Sequence, residues 1–102
     1  MQTQVSIHKI KKSCDEVCSI LKSLSHPQRL LILGHLLQGS KSVSQLVSLC
    51  DVSQSQMSQF LTRMKLEGLV SSEKDGTSQV YSIADNRLIH LMKTIQSEYC
   101  KG

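Results

Sequence analysis

Apolar residues recur along the opening of the chain in steps of three and four. Ile7, Ile10, Cys14, Val17, Leu21 and Leu24 fall on one line, a narrow seam of the kind one helix presents to another. His8, Lys9, Lys11, Lys12, Asp15, Glu16 and Lys22 fill the other faces, so a single helix is predicted from Ile7 to Leu24. LSHPQRL ends it. Pro27 disfavours helical geometry at His26 and suits the first position of a new helix, with Ser25 or His26 as cap. The segment QRLLILGHLL is apolar almost all round and predicts a central buried helix that stops at Gly39. Gly34 within it costs roughly 1 kcal/mol against alanine, which points to a close helix–helix approach.

Ser42 caps a third helix whose stripe is Val43, Leu46, Val47 and Cys50, and CDVSQ is a short turn with Asp51 and Ser53 as candidate caps. A fourth helix follows over 54–67, with Met57, Phe60, Leu61 and Met64 at helical spacing, and Gly68 stops it. The period then changes. LVSSEKDGTSQVYSI reads as two strands around Asp75-Gly76, a two-residue hairpin signal. ADNRLIHLMKTIQSEYCKG returns to helix, capped by Asp85, with Leu88, Leu91, Met92, Ile95 and Tyr99 on one side. The predicted layout is a winged helix-turn-helix: mainly α with a small β-hairpin wing, a helix at each end, and one domain over 1–102.

The fourth helix raises a chemical question, because its outer positions are amides and hydroxyls. Glu and Lys make better solvated helix surfaces than Ser and Thr do. With four apolar residues held inward, Ser55, Gln56, Ser58, Gln59, Thr62 and Arg63 face outward. These side-chain types match base edges in the B-DNA major groove, where Gln pairs with adenine, Arg with guanine, and Ser or Thr with several edges. Gln54 and Ser55 at the helix start also suit a phosphate. Lys41, Arg63, Lys65 and Lys74 supply charge for the DNA backbone, and the polar hairpin tip, including Thr77 and Ser78, suits a wing beside the minor groove.

Composition narrows the partner. Aromatic residues make up 3% with no Trp, which argues against the stacking platforms that bind single strands. A net charge of +4 permits a polyanionic partner. No long apolar run opens the chain and no segment is predicted to span a membrane, so the expected location is cytoplasmic. No Cys sits in a C-x-x-C or at a glycine-rich strand-to-helix turn, and no His stands as its base, which argues against a thiol enzyme. A winged-helix module that binds protein without DNA remains the alternative class, and its outward Gln and Ser positions argue mildly against it.

LKSLSHPQRLLIL, SVSQLVSLCDVSQSQMSQFLTRMKLEGLV and SQVYSIAD together resemble the ArsR/SmtB family of bacterial repressors, from roughly Val17 to the end of the chain. The block LSQSxxSQHLxxLRxxGLV common in that family stands here as VSQSQMSQFLTRMKLEGLV, with Phe60 where His is frequent and Lys65 near the usual Arg. The resemblance implies a homodimer that binds a palindromic double-stranded operator and represses until a small inducer (reactive sulfur, oxidant or metal) releases it. It also implies that the first and last helices form the dimer interface.

Family members sense different inducers, and the positions carry over unevenly. A thiolate metal site in the third helix would need Cys near Ser42, Ser44 and Val47, where none stands; Cys50 reads as core. In the zinc-sensing pattern of the final helix Asp85 matches the first ligand, but Arg87, Glu98 and Lys101 hold the other positions and Arg does not ligate. His90 reads as an ordinary half-buried side chain. No metal ligand set and no cofactor is therefore expected. LSHPxRL and a terminal YC place the chain nearest the HlyU/BigR/YgaV-like branch, whose thiol sensors pair a second-helix Cys with one near the C-terminus. Cys100 matches the latter, while Gly34 stands at the former. Cys14 and Cys18 are replacement candidates for the redox switch, with buried apolar filler as the plainer reading of both; a thiolate metal site is the third.

Overall fold

The chain, described over residues 4–100 by a computed structural model, builds most of its elements where its capping residues stand. The helices are α1 (Ile7–Lys12), α2 (Cys14–Leu24), α3 (Pro27–Leu36), α4 (Val43–Leu49), α5 (Gln54–Leu66) and α6 (Asn86–Tyr99). His26 Nδ1 accepts the Gln28 N–H ahead of α3, with Pro27 in the first turn. Ser42 and Ser53 cap α4 and α5, and Asp85 caps α6 by accepting the Arg87 N–H. Each side-chain oxygen or ring nitrogen takes up a helix-end donor that would otherwise lack a partner.

The predicted first helix is two. At Ser13 the backbone leaves helical geometry (φ −106, ψ 11) and its N–H is shared between the carbonyls of Lys9 and Ile10. Among the described residues nothing buries α1, so no packing there opposes a break at this poor helix former.

The sheet holds three strands in the order β1 (Lys41–Ser42), β3 (Ser78–Ile83), β2 (Val70–Asp75), all antiparallel. The two-residue β1 pairs Lys41 with Tyr81 and Ser42 with Val80; it is too short to leave a periodic signature. The wing turns one residue later than the Asp75-Gly76 reading. Asp75 pairs with Ser78, leaving Gly76 and Thr77 as the turn, and only Gly76 has positive φ (67°), as the first central residue of a type II′ turn requires.

Every helix from α2 to α6 contributes to one core. Ile32 and Leu33 of α3, Leu46 of α4, and Met57, Leu61 and Met64 of α5 are fully buried, with Leu24, Leu88, Met92, Leu69 and Val70 closing around them. Phe60 is half-buried at the edge. The tight approach expected at Gly34 is absent: a Cβ built there meets nothing within 4 Å. Much of the opening seam is uncovered. Ile7, Ile10, Val17 and Leu21 are exposed, as are Leu31 of α3 and Tyr99 of α6. Among the described residues no helix is long and apolar enough to cross a membrane.

Truncating Leu61 to Ala is expected to cost about 2–5 kcal/mol in urea unfolding, through lost burial and the cavity left behind. Leu66→Ala, on the exposed side of the same helix, is expected to stay within about 0.5 kcal/mol.

Candidate nucleic-acid interface

The geometry of α5 begins at its cap. Ser53 Oγ accepts the Gln56 N–H at 3.1 Å while Gln56 Oε1 accepts the Ser53 N–H at 3.1 Å. This reciprocal capping box fixes where the helix starts. It also gives Gln56 a structural task that its outward position in the sequence did not reveal.

Burial of Met57, Leu61 and Met64 then fixes the helix rotation. At about 100° per residue, Ser55, Gln59, Thr62 and Leu66 point away from the core. Gln56, Arg63 and Glu67 flank that stripe on one side, and Ser58 and Lys65 on the other. All of these residues, with Gln54, are exposed. Among the described residues the side chains of Ser55, Ser58, Gln59 and Thr62 make no hydrogen bond within the chain. An open groove of about 620 Å³ runs beside them, lined by Gln56, Gln59, Thr62, Arg63 and Leu66, with Arg29 of α3 at its edge.

Both flanks are braced. On one, Glu67 Oε1 accepts from Ser23 Oγ at 3.0 Å and from Arg29 Nη1 at 3.1 Å, and Oε2 accepts from Arg63 Nε at 3.3 Å. Phe60 lies against His26 there, with ring centroids 5.2 Å apart and planes tilted by 58°. On the other, Lys65 Nζ donates to Ser72 Oγ of β2 at 2.7 Å, tying the helix to the wing. Lys65 is thus already engaged, and Arg63 keeps its two terminal nitrogens. Lys74, Thr77 and Ser78 are exposed at the wing. Lys41 is half-buried in β1, at the entrance to α4. Sequence reasoning passed over Glu67 and Leu66. The Arg63–Glu67 spacing of four was a readable signal, whereas Ser23 and Arg29 lie 44 and 38 residues away.

The cysteines divide. Cys50 is buried, as its place on the α4 stripe predicted, and burial pushes its thiol above the usual range. Cys14 and Cys18 are exposed in the single chain: among the described residues little covers this stretch of α2, where Val17 and Leu21 are exposed as well. Cys100 is also exposed, and it lines a groove of about 490 Å³ between α3 and α6 whose α3 wall includes Leu30, Gly34 and Leu37.

Asp85 serves as a cap. It accepts the Arg87 N–H at 2.8 Å, and the Arg87 guanidinium meets its Oδ2 at 2.7 Å while reaching Glu16 of α2 at 3.5 Å. Those hydrogen bonds hold the Asp85 carboxyl below its ordinary range. His90 is exposed rather than half-buried, and Lys101 lies outside the described residues. Among the described residues no group of three or more His, Cys, Asp or Glu is placed to hold a metal ion. Because Asp85 binds its proton less well when folded, its contribution to stability is complete above the ordinary carboxylate range and is lost as pH falls through the lowered value. Urea unfolding of wild type and Asp85→Asn should show a constant difference above about pH 5 that shrinks as the solution is acidified below about pH 4.

Comparison with known proteins agrees with this architecture. Residues 26–72 match the family model described as bacterial regulatory protein, arsR family. The HTH-type transcriptional regulator YgaV of Escherichia coli is 37% identical over 93 residues, spanning 89% of this chain and 93% of that protein. The crystal structure of the transcriptional repressor BigR from Xylella fastidiosa superposes with a TM-score of 0.89 at 26% identity, covering 96% of this chain and all of that one (100%). A homodimeric winged helix-turn-helix DNA-binding domain from Mycobacterium bovis, solved by NMR, superposes with a TM-score of 0.77 at 29% identity, over 94% of this chain and 88% of that one.

Proposed function

The chain belongs to the arsR family of bacterial regulatory proteins, and from that premise we propose that it works as a homodimeric repressor whose α5 reads a palindromic double-stranded operator. It is a transcriptional regulator and not an enzyme. In this reading residues 1–102 act as one DNA-binding domain. The observation that carries the proposal is the outward stripe of α5: Ser55, Gln59 and Thr62 are exposed with their donors and acceptors unspent, on a helix whose rotation the core fixes. Such groups reach base edges when the helix enters the major groove. Gln54 and Ser58 extend the stripe, Gln56 contributes its free amide N–H₂, and Arg63 its terminal nitrogens. Lys41 and Lys74, with Thr77 and Ser78 of the wing, contact the backbone, and Lys65 does so through the ammonium hydrogens that its bond to Ser72 leaves over.

The homodimer is supported by the uncovered apolar residues on α1, α2 and α6. Ile7, Ile10, Val17, Leu21 and Tyr99 cost little in water singly, but together they mark a surface that a second copy buries. A two-fold arrangement of α5 requires operator half-sites about one DNA turn apart, or a multiple of it. An interaction module without DNA would have no use for unspent Gln and Thr side chains beside an exposed polar wing that presents Lys74, so the DNA reading is preferred.

Fluorescence anisotropy on duplex DNA tests this reading. Gln59→Ala, which leaves the capping box intact, is expected to relax base preference at a cost of about 1–3 kcal/mol on the preferred duplex. Lys74→Ala should weaken all duplexes alike and lower the salt-dependence slope by about 1. Operator affinity untouched by both changes would refute α5 and the wing as the DNA surface.

The inducer reading is finer. Cys100 is exposed at the end of α6, in the groove it shares with Gly34. The resemblance to thiol sensors implies a second Cys at that α3 position, where Gly34 stands, so a switch at Cys100 draws its second sulfur from Cys14, Cys18 or a small persulfide. Polysulfide or peroxide should then weaken operator binding by wild type and leave Cys100→Ser unaffected. Equal affinity of reduced and oxidised wild type would rule the thiol switch out and leave a thiolate metal site as the reading to test.

A further inference from the structure

Glu67 stands where three elements converge. Its carboxylate accepts from Ser23 of α2, Arg29 of α3 and Arg63 of α5 at 3.0, 3.1 and 3.3 Å. The side chains grow more exposed toward the reading face: Arg29 is 17% exposed, Glu67 30% and Arg63 68%. Ser23 at the inner end is buried. The inner two partners both hold Oε1, which leaves Oε2 directed at Arg63.

This arrangement differs from an ordinary i,i+4 surface pair, which gives little order because both side chains swing freely. Here the acid is fixed from behind before it meets Arg63. It takes only the Nε hydrogen of that residue, and among the described residues the terminal Nη groups make no hydrogen bond. Those groups carry the paired donors that a guanine O6/N7 edge accepts. Arg29 offsets the acid's charge, so the node as a whole remains cationic and does not repel DNA. The groove along α5 is lined by both Arg29 and Arg63, which puts the node at the border of the reading stripe.

We infer that Glu67 is a positioning residue for base reading: anchored by Ser23 and Arg29, it aims the terminal guanidinium edge of Arg63 at a guanine in the major groove. This rests on α5 being the reading helix. Removing the carboxylate frees Arg63 to follow the nearest phosphate and leaves a second cation, Arg29, unneutralised. Affinity for DNA of any sequence then rises while discrimination falls, whereas a merely structural acid would change stability and leave discrimination alone.

The test uses the full chain and two duplexes of equal length, one enriched from a randomised pool by the wild-type protein and one of random sequence. Thermal melting is measured beside anisotropy for Glu67→Gln, Glu67→Asp, Arg63→Gln and the double variant Glu67→Gln/Arg63→Gln. Glu67→Gln should bind the random duplex more tightly and reduce the enriched-to-random affinity ratio about five- to tenfold. Glu67→Asp, which keeps the charge but withdraws it by a methylene, should lower the ratio in the same direction and carries the test if Glu67→Gln does not fold. In the Arg63→Gln background the loss of Glu67 should no longer change the ratio. A selective wild type whose ratio is the same in both Glu67 variants overturns the inference. So does a Glu67 effect that persists without Arg63, or an Arg63→Gln variant that weakens both duplexes alike, the mark of a phosphate contact. A wild type that enriches no duplex overturns the DNA reading itself, and is recognised before any variant is made.

Discussion

Three side chains of α5, Met57, Leu61 and Met64, are removed from water completely, and their burial is the constraint on which the arrangement of the polar stripe rests. A helix surface carries no direction of its own; it gains one when a single line of residues is pinned. Each of the three gives about 1.5–3 kcal/mol for leaving water, and rotating the helix by one residue would exchange them for Ser58, Thr62 and Lys65, or in the other sense for Gln56, Phe60 and Arg63. The outward direction of Ser55, Gln59 and Thr62 is therefore held by apolar burial on the far side of the helix, well away from any DNA.

Rotation alone does not fix a helix along its axis or against tilt. Those freedoms are removed at the ends and flanks. The Ser53–Gln56 box sets the first turn, Lys65 ties one flank to Ser72 of the wing, and Glu67 ties the other to α2 and α3. The wing inherits its position from the same helix, since β2 begins at Val70 directly after the turn at Gly68, whose φ of 78° suits a residue without a Cβ. Helix α5 and the wing are thus placed by the same few contacts, which suits the two-point grip on a duplex proposed for them.

The apolar residues left outside this core have a different logic. Leu21 and Leu24 stand three apart on one helix, yet Leu24 is buried and Leu21 exposed. Leu24 joins the core beside the Ser25–His26 corner, whereas Leu21, one turn earlier, borders an open groove shared with Leu88 and Leu91 of α6. The exposed stretch also bears Cys14 and Cys18. Their surroundings depend on what a second copy covers, so their chemistry in the proposed dimer is set by assembly as much as by the fold of one chain.

Helix starts, the apolar line of α5, the change of period after Gly68 and the core place of Cys50 were all legible along the chain, because caps and periodicity act over a few residues. The outer face of α5 and its family pattern were legible for the same reason. The break at Ser13, the strand Lys41–Ser42 and the open space at Gly34 were not. Each depends on whether a distant element supplies packing or a pairing partner, and a local pattern carries no record of that. Gln56 shows the limit most clearly, since the same residue type suits a base edge and a helix cap. Local periodicity thus determined which residues form the helices and which side of each is apolar. Tertiary contacts over 38 and 44 residues decided that Arg29 and Ser23 meet Glu67, because only the folded chain brings groups so far apart in sequence within reach of one carboxylate.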